Sequence, residues 1–267
     1  MARPVIAFLT DFGTKDHYAG TVKGVVLSIC PEAACVDITH EIPPHDVMAG
    51  ALELAAAYKY FPSGTVFVVV VDPGVGSARR PIAAEAGDYR FVAPDNGVLT
   101  LVFNETPPRR VVALTEPQYA RPTVSRTFEG RDRFGPAAAW LARGIELSAF
   151  GRTLNDWQTL DVPEPIITEA QMIAEVVRVD RFGNLVTNVD RRTFDRFLNA
   201  ERIEIVAGAA TVGEVVMTYA DADPGASCAL FGSSEHLEIA VNGGSAAERL
   251  ALGRGAKITI SKLHQGA

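Results

Sequence analysis

The chain has 267 residues, 48% of them hydrophobic, 21% charged and 8% aromatic, with a formal net charge of −7. That composition is globular and excludes a disordered chain, a collagen-like repeat and a small disulfide scaffold; the length predicts one large or two modest domains. The acidic charge is spread evenly along the chain, so there is no basic half for nucleic acid or anionic lipid.

The elements follow in chain order. Pro4 to Thr10 (PVIAFLT) is a short apolar run that stops at Asp11-Phe12-Gly13, the pattern of a buried strand. Residues 17 to 30 carry Tyr18, Val22, Val25, Val26 and Ile29 near helical spacing, and Pro31 ends that helix. Ala34 to Ile38 is a second strand. Asp46 to Phe61 is an Ala/Leu-rich helix closed by Pro62-Ser63-Gly64. Thr65 to Asp72 (TVFVVVVD) is apolar on both faces, as a central parallel strand must be. Arg90 to Ala93 and Arg110 to Leu114 are further strands, and Pro136 to Arg143 a further helix. This alternation predicts an α/β layered domain with a largely parallel central sheet over residues 1–164.

Asp161 to Pro165 (DVPEP) reads as a linker, and the pattern then changes. Short strands are predicted at Ile173 to Val179, Arg202 to Val206, Val212 to Tyr219, Cys228 to Phe231, Leu237 to Val241 and Lys257 to Ser261. Gly and Asp/Asn turns separate them, which predicts a smaller C-terminal domain over residues 165–267, a β-barrel or a sandwich.

The three cysteines, Cys30, Cys35 and Cys228, form no CxxC and are odd in number, which favours a reducing compartment. The apolar run before Asp11 is too short for a secretory leader, and no run approaches the roughly 20 apolar residues of a membrane span. A cytoplasmic protein is expected. The five histidines (His17, His40, His45, His236, His264) make no HxH, HExxH or Cys/His zinc spacing, so no metal is expected.

Polar residues collect just after the C-terminal ends of predicted strands, the edge where open α/β sheets bind ligands. Asp11 follows the first strand. Asp72 opens Asp72-Pro73-Gly74-Val75-Gly76-Ser77-Ala78-Arg79-Arg80. Asp95-Asn96-Gly97 follows the Arg90 strand, and Thr127-Phe128-Glu129-Gly130-Arg131-Asp132 precedes a helix. Each also has a plain structural reading, as a cap or a tight turn. The loop after Asp72 lacks the Lys-Ser/Thr of a phosphate loop. Asp-Phe-Gly occurs without the other kinase signatures, and Ser233-Ser234 is not in a nucleophile elbow. These residues alone describe a two-domain enzyme with an acidic, arginine-containing pocket and leave its reaction open.

Taken together, the motifs resemble the S-adenosyl-L-methionine (SAM) hydroxide adenosyltransferases, the SAM hydrolases related to fluorinase and chlorinase. The resemblance rests on Leu9-Thr10-Asp11-Phe12-Gly13-Thr14-Lys15-Asp16, the Asp72-Pro-Gly-Val-Gly…Arg79 loop, Ala93-Pro94-Asp95-Asn96-Gly97 and Thr127-Phe128-Glu129-Gly130-Arg131-Asp132. It continues through Asp180-Arg181-Phe182-Gly183-Asn184 and the run from Leu237 through Asn242-Gly243-Gly244-Ser245 to Ala247. The resemblance implies an N-terminal α/β domain and a C-terminal β-barrel, a homotrimer with SAM bound between subunits, and cleavage of SAM by water to adenosine and L-methionine. No cofactor is implied, because SAM is the substrate.

The resemblance also implies residue roles. Asp11 would hold the ribose hydroxyls, and Asp16 and Asp180 the methionine ammonium. Phe182 and Asn184 would contact adenine. Ser233 and Ser234 would lie near the methionine carboxylate, and Asn242 and Gly243 near adenine. Phe128 and Gly130 fall within the substrate-binding segment. The family's water-activating set is Asp, Arg and His; Asp72 and Arg79 match the first two, and Glu129 stands where the family carries His. Glu129 is expected to fill the same place, giving two carboxylates beside one water. The alternatives are a chloride-using halogenase and a non-catalytic SAM- or adenosine-binding protein. Asp72 argues against the halogenase: a carboxylate about 4 Å from a bound halide costs roughly 4 kcal/mol at an effective dielectric near 20.

Overall fold

A computed structural model describes residues 3–199 and 202–263, so His264 lies outside the described residues. The chain divides into two compact units, Met1–Leu160 and Asp161–Ala267. No helix among the described residues is long and apolar enough to cross a membrane.

The first unit runs β1 (Val5–Thr10), α1 (Tyr18–Ile29), β2 (Ala34–Thr39), α2 (Val47–Ala57), β3 (Val66–Val70), β4 (Pro81–Ala86), β5 (Tyr89–Pro94), α3 (Thr100–Glu105), β6 (Pro108–Ala113) and α4 (Gly135–Ala142). Its six strands lie in the order β2-β1-β3-β5-β4-β6. All are parallel except β4, which is antiparallel to both neighbours. Alternate side chains of β1 and β3 go to opposite layers. Ile6, Phe8, Val66 and Val68 pack with Val22 and Val26 of α1 and with Ala138 and Leu141 of α4. Ala7, Leu9, Phe67 and Val69 pack with Leu54 of α2 and with Val102 and Phe103 of α3. Every residue of β3 is buried, which explains its uniformly apolar sequence. Local signals set the helix limits: Asp46 accepts a hydrogen bond from the Ala49 amide at 3.0 Å and starts α2, and Pro136 sits in the first turn of α4.

This strand order fixes where a ligand can bind. From β1 the chain crosses to β2 on one side, then returns to lay β3 on the other. The C-terminal ends of β1 and β3, paired at Thr10 and Val70, therefore flank the topological switch point.

The second unit runs β7 (Ile166–Ile167), β8 (Gln171–Val179), β9 (Leu185–Asp190), α5 (Arg191–Leu198), β10 (Arg202–Ala207), β11 (Ala210–Val212), β12 (Ser227–Phe231), β13 (His236–Val241), α6 (Ala246–Leu250) and β14 (Lys257–Leu263). The sheet order is β11-β10-β14-β8-β9-β13-β12, antiparallel throughout, with β7 paired to β8. Just past β11, the Gly213 amide donates to the Ser227 carbonyl and the Val216 amide to that of Ala229, at 3.1 and 2.8 Å. These bonds bring the two sheet ends together into a nearly closed barrel around Met172, Leu185, Ile239 and Ile258. The molecule is thus an α/β domain followed by a smaller barrel.

One predicted strand is corrected. Val212 to Tyr219 does not form a single strand: β11 ends at Val212, and only an isolated bridge from Val215 to Ala229 follows before a 3₁₀ turn at Tyr219–Asp221. The pairing partner changes from β10 to β12 at Gly213, so no continuous ladder can form. Strands β4, β7 and β9 and helices α3, α5 and α6 are additional to the elements predicted from the sequence.

Candidate active site

A cavity of about 290 Å³ opens at the switch point of the first unit. Asp11 and Val70 line it from the ends of β1 and β3, with Asp72 and Val75 from the loop after β3. Phe12, Tyr18, Pro44 and His45 form another side, and Thr127, Phe128, Glu129 and Gly130 the last.

Asp11 continues directly from β1. Its Oδ2 accepts the His45 amide at 2.9 Å. His45 adopts a left-handed backbone (φ 69°), which turns that N–H toward the carboxylate. Beneath this loop, the buried Thr10 hydroxyl sits 2.8 Å from His40 Nδ1 and accepts the Phe12 amide at 3.2 Å, fixing the chain around Asp11.

Asp72, Arg79 and Glu129 form one ion-paired group. Arg79 Nε donates to Asp72 Oδ1 at 2.9 Å and its Nη2 to Asp72 Oδ2, a bidentate fork. The same Nη2 lies 2.6 Å from Glu129 Oε2, and Arg133 Nε lies 3.3 Å from Glu129 Oε1. The side chains of Asp72, Arg79 and Glu129 are 6%, 9% and 13% exposed, so water screens these charges weakly. Burial favours the neutral form of Arg79, but the hydrogen bond and charge of Asp72, reinforced by Glu129, raise its pKa above the ordinary arginine value. The guanidinium also lies 5.3 Å from the Phe134 ring centroid.

Gly76 allows this convergence. Its φ is +77°, and a Cβ there would lie 2.5 Å from the Arg126 carbonyl. The loop after β3 therefore meets the segment leading to Glu129 backbone to backbone. Phe12, Tyr18 and Phe128 form an aromatic cluster with centroids 5.1–6.1 Å apart.

A π-helical turn at Gly130–Phe134 joins Glu129 to α4. Within it Asp132 is fully buried. It accepts the Ser125 amide at 2.9 Å and Arg131 Nε and Nη2 at 2.7 and 2.8 Å, with Arg121 at 3.3 Å. Burial would raise its pKa, but Arg131 and the Ser125 amide outweigh that and hold the carboxyl below the usual range. A depressed carboxyl stabilises the fold above its unfolded pKa of about 3.9, and that stability is lost as pH falls through the folded value. Thermal melts between roughly pH 2 and pH 6 should show Tm dropping below about pH 4, with a shallower drop in Asp132→Asn. Equal slopes in both proteins would remove Asp132 from the acid transition.

The remaining residues of interest in this unit stand apart from the cavity wall. Asp16 is exposed in the loop before α1, and Arg79 sits behind Asp72.

In the second unit, Asp180 organises the turn between β8 and β9. Its Oδ1 accepts the amides of Phe182 and Asn184 at 2.9 and 2.8 Å, and its Oδ2 accepts Asn184 Nδ2 at 2.9 Å. The Phe182 ring is left 77% exposed. Ser233 and Ser234 lie in the β12–β13 turn, and the buried Ser234 Oγ has no hydrogen-bond partner among the described residues. Asn242 follows β13 and donates to the Ala222 carbonyl at 2.7 Å; the exposed Gly243 comes next with φ +75°.

Sequence reasoning gave no functional role to several residues of these sites: His45, Tyr18, Arg133, Tyr219 and Glu238. Tyr219 donates to Glu238 Oε2 at 3.2 Å and lies 3.5 Å from Asn184 Nδ2. Burial, then the charge of Glu238, pushes the Tyr219 phenol up to about 12. Burial likewise raises Glu238. Gly232 leaves room for that carboxylate, since a Cβ there would lie 1.9 Å from Oε1. The signal for Glu238 was present in the sequence as one acid in an otherwise apolar strand, LEIAV.

Comparison with known proteins bears on both units. The model of the SAM hydroxide adenosyltransferase N-terminal domain matches residues 6–151, and that of the C-terminal domain residues 174–259. An (R)-S-adenosyl-L-methionine hydrolase of Thermus thermophilus is 40% identical over 266 residues, covering 97% of this chain and 99% of that one. A fluorinase of Nocardia brasiliensis is 28% identical over 97% of each chain. The crystal structure of an uncharacterised conserved protein from Thermotoga maritima superposes with a TM-score of 0.90 at 38% identity, covering 96% of this chain and 99% of that one.

Proposed function

The chain belongs to the SAM hydroxide adenosyltransferase family, and we propose on that premise that it hydrolyses S-adenosyl-L-methionine to adenosine and L-methionine. The observation that carries this reading is the pair of carboxylates, Asp72 and Glu129, held on one guanidinium at the wall of the switch-point cavity. Such a pair suits the handling of a water, which must be oriented and relieved of a proton as it attacks.

The bond changes are simple. The water oxygen bonds to ribose C5′ as the C5′–S bond breaks, and the bonding pair stays on sulfur. The sulfonium becomes the neutral thioether of methionine, so no general acid is needed for departure. One proton leaves the water, and one is released per turnover. No oxidation state changes beyond that displacement, so the reaction needs no redox partner. Asp72, fixed by Arg79, orients the water, and Glu129 takes up its proton. Positioning at the cavity wall supplies most of the acceleration.

The substrate roles follow the same reading. Asp11 keeps one oxygen on the His45 amide and offers the other to the ribose hydroxyls. Phe128 and Gly130 border the reacting carbon. Asp16 and Asp180 take the methionine ammonium, and Phe182 and Asn184 take adenine, with Asn242 and Gly243 presenting backbone to the base. The partnerless Ser234 hydroxyl supports the assignment of Ser233 and Ser234 to the methionine carboxylate, because a buried orphan donor is otherwise costly. We assign the working form to a cytoplasmic homotrimer in which one protomer's cavity is completed by its neighbour. Light scattering should then give three times the chain mass of 28.6 kDa.

The test is incubation of the purified protein with SAM, with and without chloride, followed by chromatography. Equal amounts of adenosine and methionine, independent of chloride, are expected. A 5′-chloro nucleoside would replace this reading with a halogenase, and bound but intact SAM would replace it with a binding protein.

A further inference from the structure

The ion-paired group of Asp72, Glu129 and Arg79 does not balance by itself. Asp72 and Glu129 carry two negative charges, and Arg79 supplies one positive charge to both. The neighbouring arginines are committed elsewhere: Arg80 to Asp95 and Asp156, Arg131 to Asp132. Arg133 is the second cation on the pair. It lies four residues after Glu129, its Nε 3.3 Å from Glu129 Oε1. That Nε is buried and makes no hydrogen bond of good geometry to any described group, so its hold on Glu129 is one of charge. Its Nη1 donates to the Leu114 carbonyl at 3.3 Å, just past β6, which ties the side chain to the sheet.

We propose that Arg133 is the positioning residue of this site: it grips Glu129 by one oxygen while Arg79 holds the other, and it brings the four-charge group to neutrality. The inference rests on reading the cavity as the place where water is activated. Glu129 then has a cation beside each oxygen, Arg79 at 2.6 Å and Arg133 at 3.3 Å, while it lines the cavity. The positive charge of Arg133 stabilises the hydroxide-like nucleophile that develops as the proton passes to Glu129. Arg133 acts only through Glu129.

The experiment compares the wild type with Arg133→Met, Arg133→Lys, Glu129→Gln and the double variant Glu129→Gln/Arg133→Met. Steady-state hydrolysis of SAM and thermal melting are both measured. Arg133→Met should lower kcat about tenfold or more with KM within about threefold, since a slightly displaced base loses rate rather than binding. Arg133→Lys should recover most of that loss by restoring the charge. In the melts, Arg133→Met should lower Tm by about 3 °C or more when Glu129 is present, and by much less in the Glu129→Gln background, where no charge is left unpaired. A kcat within twofold of wild type, or equal Tm losses in both backgrounds, would overturn the proposal. Should the wild type leave SAM intact, the reading of the cavity fails separately, and the melting cycle alone still decides whether Arg133 is coupled to Glu129.

Discussion

Asp72→Asn should lower kcat for SAM hydrolysis by about 10²–10⁴-fold, the range for removing a group that handles the reacting proton, with KM changed by less than about threefold. The side chain keeps its volume, so the cavity keeps its shape. What it loses is the charge that aligns a water. It also loses one of two acceptors: Arg79 presents Nε to one oxygen and Nη2 to the other, and an amide puts its own NH₂ against one of these donors. Steady-state release of adenosine measures the effect. A kcat within about fivefold of wild type would show that Glu129 alone activates the water and that Asp72 is structural.

Arg79→Met has the second large effect, and it reaches stability as well as rate. Arg79 is the only described group that contacts both carboxylates of the pair. Removing one partner of a buried ion pair leaves charge uncompensated and costs about 3–5 kcal/mol; the low end applies here because Arg133 remains beside Glu129. A loss of about 3 kcal/mol lowers Tm by roughly 10 °C in a unit of this size. Hydrolysis should fall at least as far as in Asp72→Asn. Because the Arg79 pKa is raised, its contribution to stability is complete below the ordinary arginine value and is lost only as pH climbs through the still higher folded value. The Tm difference between wild type and Arg79→Met should therefore stay constant from roughly pH 7 to pH 10. A difference that shrinks across that window would mean that some other group supplies the stabilisation.

Much of the fold was legible because burial on two faces leaves a strong mark. The all-apolar VFVVV run could only be a central strand, and it is. Helices α1 and α2 were readable from spacing and from their stops, Pro31 and Pro62. Strand β4 was not, because PIAAEA carries alanines and a glutamate, residues depleted in strands; pairing with β5 and β6 makes it one. Strand β9, LVTNVD, hides in the same way behind Thr187 and Asn188. Helix α5 could have been found: RRTFDRFL places Phe194 and Phe197 on one face, and Asp190 caps it by accepting the Thr193 amide at 2.9 Å. The density of charge concealed that pattern.

The candidate site was legible where a side chain ends a strand and hidden where tertiary folding supplies the contact. Asp11 follows β1 directly and Asp72 comes two residues after β3, so their place at the sheet edge follows from topology. That Arg79 also reaches Glu129 depends on Gly76 meeting the backbone at Arg126, fifty residues away in sequence. Spacing cannot announce such a contact. Nor can composition show that Arg133 turns toward Glu129 instead of solvent.

The π-helical turn at Gly130–Phe134 makes chain length, as much as side-chain identity, a determinant of this site. Such a turn holds one residue more than an α-helical turn. Deleting a single residue there would restore α-helical winding without necessarily unravelling α4, but each residue of an α-helix subtends about 100°. The segment ahead of the deletion would rotate by that angle about the helix axis, carrying Glu129 away from Arg79 with every functional group still encoded. Relatives aligned without a gap at this turn can exchange side chains one for one. A relative with a gap there would have to rebuild the geometry around its nucleophile from other parts.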